Sequence, residues 1–258
     1  MIAQVSPRSE SLRRGASPRK ISIKKSSFQS IRSMAATIEI LAFVAITSPL
    51  ISQEASTGKV ATPTVTFTLD FPQSTPDHYL IAVEANGHAL YESTGKVDKD
   101  SEDEPYRAEF EVSAGNRERI FDWVKQAHYF SADIDSGNRK LAFTGDKALT
   151  YQDGQTSHRS QYNYSKLEPV RQLTALFQGM AGTLEYGRRL AYYHHYQKLA
   201  LDEELKRMEA QAKNNELSEI QGVAPVLREI VEDVSVMNVV RARAQELLQM
   251  GNGTAGRR

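Results

Sequence analysis

"HYLIAVEANGHALYES", residues 78–93, decides the fold. "HYLIAVEA" (78–85) and "HALYES" (88–93) are β-like runs. A period of two is the mark of a half-buried strand. Asn86-Gly87 lies between the runs, and both residues tolerate the positive φ of a type I′ turn, so the segment is expected to be a β-hairpin. The flanks carry the same period. In "TVTFTLDF" (64–71) Val65, Phe67, Leu69 and Phe71 alternate with Thr66, Thr68 and Asp70. In "PYRAEFEV" (105–112) Tyr106, Ala108, Phe110 and Val112 oppose Arg107, Glu109 and Glu111. Four strands with one polar face predict an antiparallel sheet covered on a single side.

The cover is expected immediately downstream. "NRERIFDWVKQAHYF" (116–130) places Ile120, Phe121, Val124 and Ala127 on one helical stripe. "RKLAFTG" (139–145), "KALTYQ" (147–152) and, after Asp153-Gly154, "QTSHRSQYNY" (155–164) read as two or three further strands. Glu168-Pro169 opens a second helix, since proline suits the first turn, where no amide donor is needed. Val170, Leu173, Leu176 and Phe177 form its apolar stripe. Helix is expected from there to Met250, with Gly179, Gly182 and Gly187 as breaks. The fold class is α+β: an antiparallel sheet backed by helices, then a helical C-terminal extension. The divisions expected are a leader (1–53), a linker (54–63), the sheet domain (64–183), the extension (184–250) and a disordered tail (251–258).

The formal net charge of zero hides an uneven distribution. Residues 1–33 carry Arg8, Arg13, Arg14, Arg19, Lys20, Lys24, Lys25 and Arg32 against Glu10 alone. The remainder is acidic by the same margin, which argues against a nucleic-acid-binding body. The basic leader runs into "IEILAFVAITSPLIS" (38–52), too short for a comfortable span of roughly 20 residues. A positive segment, a short apolar one and then small residues is the layout of a secretory signal, with cleavage expected between Ser52 and Ser56. An organelle leader, an uncleaved membrane anchor and a start at Met34 are the alternatives. The chain has no cysteine, which excludes disulfides, thiolate metal sites and cysteine nucleophiles.

Candidate chemistry is sparse. Asp98, Asp100, Glu102 and Glu109 match positions 1, 3, 5 and 12 of a calcium loop, but Asp103 stands where the turn needs glycine. "DIDSG", with Asp133 and Asp135, is less complete, and both read as solvated loops. There is no Gly-x-Ser-x-Gly turn and no phosphate-binding loop ahead of a helix. His158 shares a strand face with Ser160, Tyr162 and Tyr164, read as the solvated side and, in the alternative, as a hydrolase groove near His158 and Tyr162. In "LDEELKRMEAQAK" (201–213) Asp202–Lys206 and Glu203–Arg207 are i,i+4 pairs of a solvated helix face. "LAYYHHYQKLA" (190–200) sets His194 beside His195, about 100° apart on a helix and unable to share one ion. Tyr192, Tyr196 and Leu199 are expected to pack the sheet domain against its extension. No catalytic, cofactor-binding or metal-ligating residue is assigned.

Two segments resemble known families. Pro76, Tyr79, Asn86, Gly87, Tyr91 and Phe130, within about residues 64–180, resemble a family of uncharacterised exported bacterial domains. That resemblance implies a sheet-plus-helix fold and export, and no reaction. In "APVLREIVEDVSVMNVVRARAQELLQM" (224–250), Pro225, Leu227, Val231, Asp233, Val240, Arg241, Ala244 and Leu248 resemble one HEAT-type helical hairpin. The expected function is a non-catalytic binding or interaction module of the cell envelope, meeting another protein through the helical extension.

Overall fold

The computed structural model describes residues 62–72, 74–98, 101–154 and 156–255. The leader, most of the linker, Asp100 and residues 256–258 lie outside them. Six strands form one sheet: β1 (Thr64–Asp70), β2 (His78–Glu84), β3 (His88–Gly95), β4 (Glu104–Glu111), β5 (Asp146–Asp153) and β6 (Thr156–Tyr162). Their order is β4-β3-β2-β1-β5-β6, and every neighbouring pair is antiparallel. The hairpin at residues 78–93 is present, with Ile81 across from Tyr91. Its turn differs from the expected one: Gly87 takes a φ of 103° and Asn86 has no positive φ. The Gly87 amide donates to Glu84 O at 2.9 Å, and Asn86 Oδ1 accepts from the His88 amide at 2.8 Å.

Among the described residues five α-helices follow or interrupt the strands: α1 (Ala114–Gln126), α2 (Glu168–Tyr196), α3 (Leu201–Lys213), α4 (Ala224–Glu232) and α5 (Asn238–Ala255). The helix-covered face carries Val65, Phe67, Ile81, Tyr91 and Leu149 from the sheet. Ile120 and Val124 of α1 and Val170, Leu173 and Phe177 of α2 meet them, all fully buried. Phe67 and Phe177 stack at 5.5 Å with an interplanar angle of 6°. Each such buried side chain contributes about 1.5–3 kcal/mol through removal of apolar surface from water. The fold is α+β with a helical C-terminal extension, as alternation and helical stripes require.

Several local expectations fail, each for a packing reason. "RKLAFTG" is a loop and not a strand; Leu141 and Phe143 are exposed, and Asn163 holds the segment through Thr144 N and Ala142 O. "HYF" does not continue α1, which ends at Gln126; it is a separate 3-10 turn across a kink, in which His128, Tyr129 and Phe130 all take positive φ, from 50° to 60°. A left-handed conformation costs an L-residue about 1–2 kcal/mol, which burial of Phe130 and the Tyr129–Tyr151 ring contact at 4.9 Å offset. The three glycines of α2 do not break it. A Cβ on Gly179 would come within 2.8 Å of Ser218 Oγ, and one on Gly187 would overlap Val223 Cγ1. With Thr183, which donates to Ser218 O at 2.8 Å, they form a groove that receives residues 216–223.

That groove is the true join between sheet and extension. The expected boundary at 183/184 falls inside α2, and one apolar cluster runs from Val65 to Leu248. α4 and α5 pack against each other through Leu227, Ile230, Val240, Ala244 and Leu247, and Arg241 Nε donates to Val231 O at 2.7 Å. The expected disordered tail is partly helix: α5 continues to Ala255, and Gly251 is buried where its Cβ would stand 3.1 Å from the Gln221 amide. Among the described residues no helix is long and apolar enough to cross a membrane.

Candidate functional site

The last turn of α2 does not pack as expected. Tyr196 is 68% exposed and Leu199 84% exposed. The inward side of this turn is instead Leu190 and Tyr193, which sit about 140° and about 80° around the helix from the middle of the Tyr192–Tyr196 stripe. Tyr196 rests on Tyr192 at 5.1 Å and against His195 at 4.3 Å, so the rings are ordered by one another and not by a core.

Asp233, in the loop between α4 and α5, binds this end of α2. Its Oδ2 accepts from Lys198 Nζ at 2.5 Å and lies 2.9 Å from His194 Nε2; its Oδ1 accepts from the Ser235 amide at 2.8 Å and the Ser235 hydroxyl at 2.6 Å. Lys198 also donates to Ser235 Oγ at 2.6 Å. These partners, Lys198 and Ser235 foremost, hold the Asp233 carboxyl well below the usual carboxylate range. The set is not a nucleophilic triad, because Ser235 donates to the carboxylate and not to the imidazole. It is a clamp. Leu199 follows Lys198 and Val234 lies between Asp233 and Ser235, so the clamp brings two apolar side chains, 84% and 86% exposed, to the same end of the molecule. Met237 and Val239 add to the exposed apolar surface beside them.

One turn deeper the pattern inverts. Glu204 of α3, expected on a solvated face, is 2% exposed and binds Arg189 Nε and Arg207 Nη2, each at 2.6 Å. Arg207 therefore pairs at i,i+3 with Glu204, not at i,i+4 with Glu203; Asp202–Lys206, 2.6 Å, is as expected. Glu209 is held by Lys213 and by Arg243 of α5, the latter at 2.6 Å. On the sheet side, buried Glu185 accepts from Tyr91 at 2.8 Å and Ser93 at 2.7 Å. Arg188 donates to Gly95 O and Glu104 O, both at 2.9 Å, and lies 5.3 Å from the Tyr106 ring centre. Burial, with the Glu185 charge, pushes the Tyr91 phenol far up. Every one of these carboxylates has cationic or hydroxyl partners, so the clusters fix helix register.

The face of β6 read as solvated is the covered one. Ser160 and Tyr162 are buried, His158 is half-buried opposite Tyr151, and the Tyr162 hydroxyl is 2.6 Å from Thr174 Oγ1 of α2. A cavity of about 380 Å³ opens beside Tyr162, lined also by Lys147, Asn163, Thr174 and Gln178; His158 is not on its wall. Asp135 takes part in turns, accepting from the Gly137 amide at 2.7 Å and the Asn163 amide at 3.0 Å. Among the described residues no three His, Asp or Glu side chains are grouped to hold a metal ion. Glu109 pairs with Arg107 along β4. No protein-family model matches the chain and no curated protein matches it.

Proposed function

We propose that the chain is an exported, non-catalytic interaction module of the cell envelope, and that it binds another protein through the apolar end of its helical extension. The exposure of Leu199 and Val234 on either side of the Asp233 clamp carries this reading. Exposed large apolar side chains rimmed by polar groups are a property of interaction surfaces. Asp98, which accepts from Gln197 Nε2 at 3.3 Å, and Asp233 border the patch. Carboxylates at the rim disfavour insertion into an anionic lipid surface and suit a protein partner with an apolar centre and hydrogen-bond donors around it. The Lys198–Asp233–Ser235 bonds hold the patch before binding, which reduces the ordering cost of association.

Site-specific photo-crosslinking tests this. A benzophenone side chain at position 199, with position 118 on α1 as control, is activated in an envelope extract of the organism that makes the protein. The expected result is one discrete adduct from position 199 only, abolished by Val234→Asp. Identical adducts from both positions, or an adduct only at twice the mass of the chain, would contradict the reading. Intact mass of the exported protein tests the compartment: loss of the leader with cleavage between Ser52 and Ser56 is expected, and retention of residues 38–52 would make the chain membrane-anchored.

A further inference from the structure

Lys147 is the unusual buried charge. It stands on the covered face of β5, in register with Leu69 and Tyr162, and is 5% exposed. Its ammonium donates to Thr144 Oγ1 at 2.8 Å, Asn163 O at 3.0 Å and Gly145 O at 3.2 Å. All three acceptors are neutral. Among the described residues no carboxylate forms an ion pair with it, whereas Glu185, Glu204 and Glu209 each lie within 4 Å of an opposite charge. Hydrogen bonds to neutral oxygens satisfy the geometry of an ammonium without cancelling its charge, and an uncancelled buried charge is costly. Burial lowers the pKa of the amine, and the field of Asp146 only partly opposes this.

Lys147 lines the 380 Å³ cavity with Tyr162, Asn163, Thr174 and Gln178, and its ammonium is bound to two other lining residues, Thr144 and Asn163. No acidic residue lines the cavity, and its second cation, Arg171, is already bound to Glu168 and to Lys166 O. We propose that this cavity binds a small organic monoanion, a carboxylate, with Lys147 as its counter-ion. The incoming carboxylate replaces the longest of the three bonds, that to Gly145 O. Gln178 supplies a neutral amide donor, and the Tyr162 and Tyr164 rings the apolar wall; the Thr174 hydroxyl is already committed to Val170 O and the Tyr162 hydroxyl. One uncompensated cation matches a single negative charge and not the higher charge of inorganic phosphate. The volume lies at the small end of the range of about 300–1,000 Å³ for ligand sites. The cavity shares no residue with the apolar end of the extension, so the two proposals stand or fall separately.

Calorimetric titration of the full chain with sodium acetate, sodium benzoate, sodium phosphate and choline chloride is the test. One-to-one binding of a carboxylate is expected, with no binding of choline. Lys147→Met weakens it about 10-fold or more, the effect of losing an ion pair worth one decade in affinity. Gln178→Glu, at an exposed position on the cavity wall that folding does not depend on, weakens it similarly by adding a like charge. Lys166→Met leaves it unchanged. Absence of carboxylate binding to the native chain, binding of phosphate alone, or carboxylate binding that Gln178→Glu leaves intact would overturn the assignment.

Discussion

The middle of α2 and its C-terminal end invert the usual arrangement in opposite senses. In the middle, Glu185 and Arg188 lie buried, and Arg189 reaches into the buried carboxylate of Glu204 on α3. At the end, Tyr196 and Leu199 face solvent together with Val234. The buried charges have their partners within the chain: arginines from α2 and α3 for Glu204, and hydroxyls from β3 for Glu185. Tyr196 touches only its neighbours Tyr192 and His195 among the ring contacts of the described residues, and Leu199 and Val234 stay open to solvent. These buried charges are thus explained by folding, and the proposed function assigns the exposed apolar surface to a partner.

The contrast can be broken most severely at Glu204. Glu204→Ala leaves Arg189 and Arg207 without their shared carboxylate, and breaking a buried ion pair from one side costs about 3–5 kcal/mol. Urea unfolding checks this, and a loss near that of a surface substitution would mean that the cluster is not structural. Next in size is the groove that joins the two halves. Gly187→Ala drives a methyl into Val223, with an expected loss of about 1–3 kcal/mol from overpacking.

The clamp predicts a pH dependence. The Asp233 pKa is depressed in the folded state by Lys198, Ser235 and His194, so its contribution is fully present above the unfolded value of about 3.9. It is lost as pH falls through the lower folded value. Asp233→Asn should therefore be less stable than the native chain at pH 6, and the gap should narrow progressively below about pH 4 in paired unfolding curves. A gap independent of pH would remove the clamp from the account. The smallest effect belongs to the apolar end: Leu199→Ser with Val234→Ser should change stability by no more than about 0.5 kcal/mol, as for exposed positions without structural partners. A larger loss would show that these side chains serve folding.

The two halves were also unequally legible from sequence. Strands declare themselves by alternation, so Val65, Phe67 and Leu69 point inward without knowledge of their neighbours. The same holds for Ile120 and Val124 on α1 and for Val170, Leu173 and Phe177 on α2. Glu204 looks like any carboxylate of a helix N-terminus until Arg189, 15 positions earlier, is brought beside it. Gly179 and Gly187 read as breaks because propensity is local, while the loop that fills their groove lies more than 30 residues away. Lys147 was legible in principle. In "KALTYQ" it falls on the inward phase with Leu149 and Tyr151, and a charge on that phase is a sign of either an internal partner or a ligand. The exposed end was misread because the Tyr192–Tyr196–Leu199 stripe is amphipathic in the way core stripes are, and periodicity does not say which stripes find a partner.

The central claim is that the end of the helical extension, and no other surface, is where another protein binds. Hydrogen–deuterium exchange of the chain, alone and with the protein captured from position 199, measures this directly. The account predicts added protection confined to residues 192–200 and 233–239. Protection centred on the sheet, or none at the extension, would contradict it.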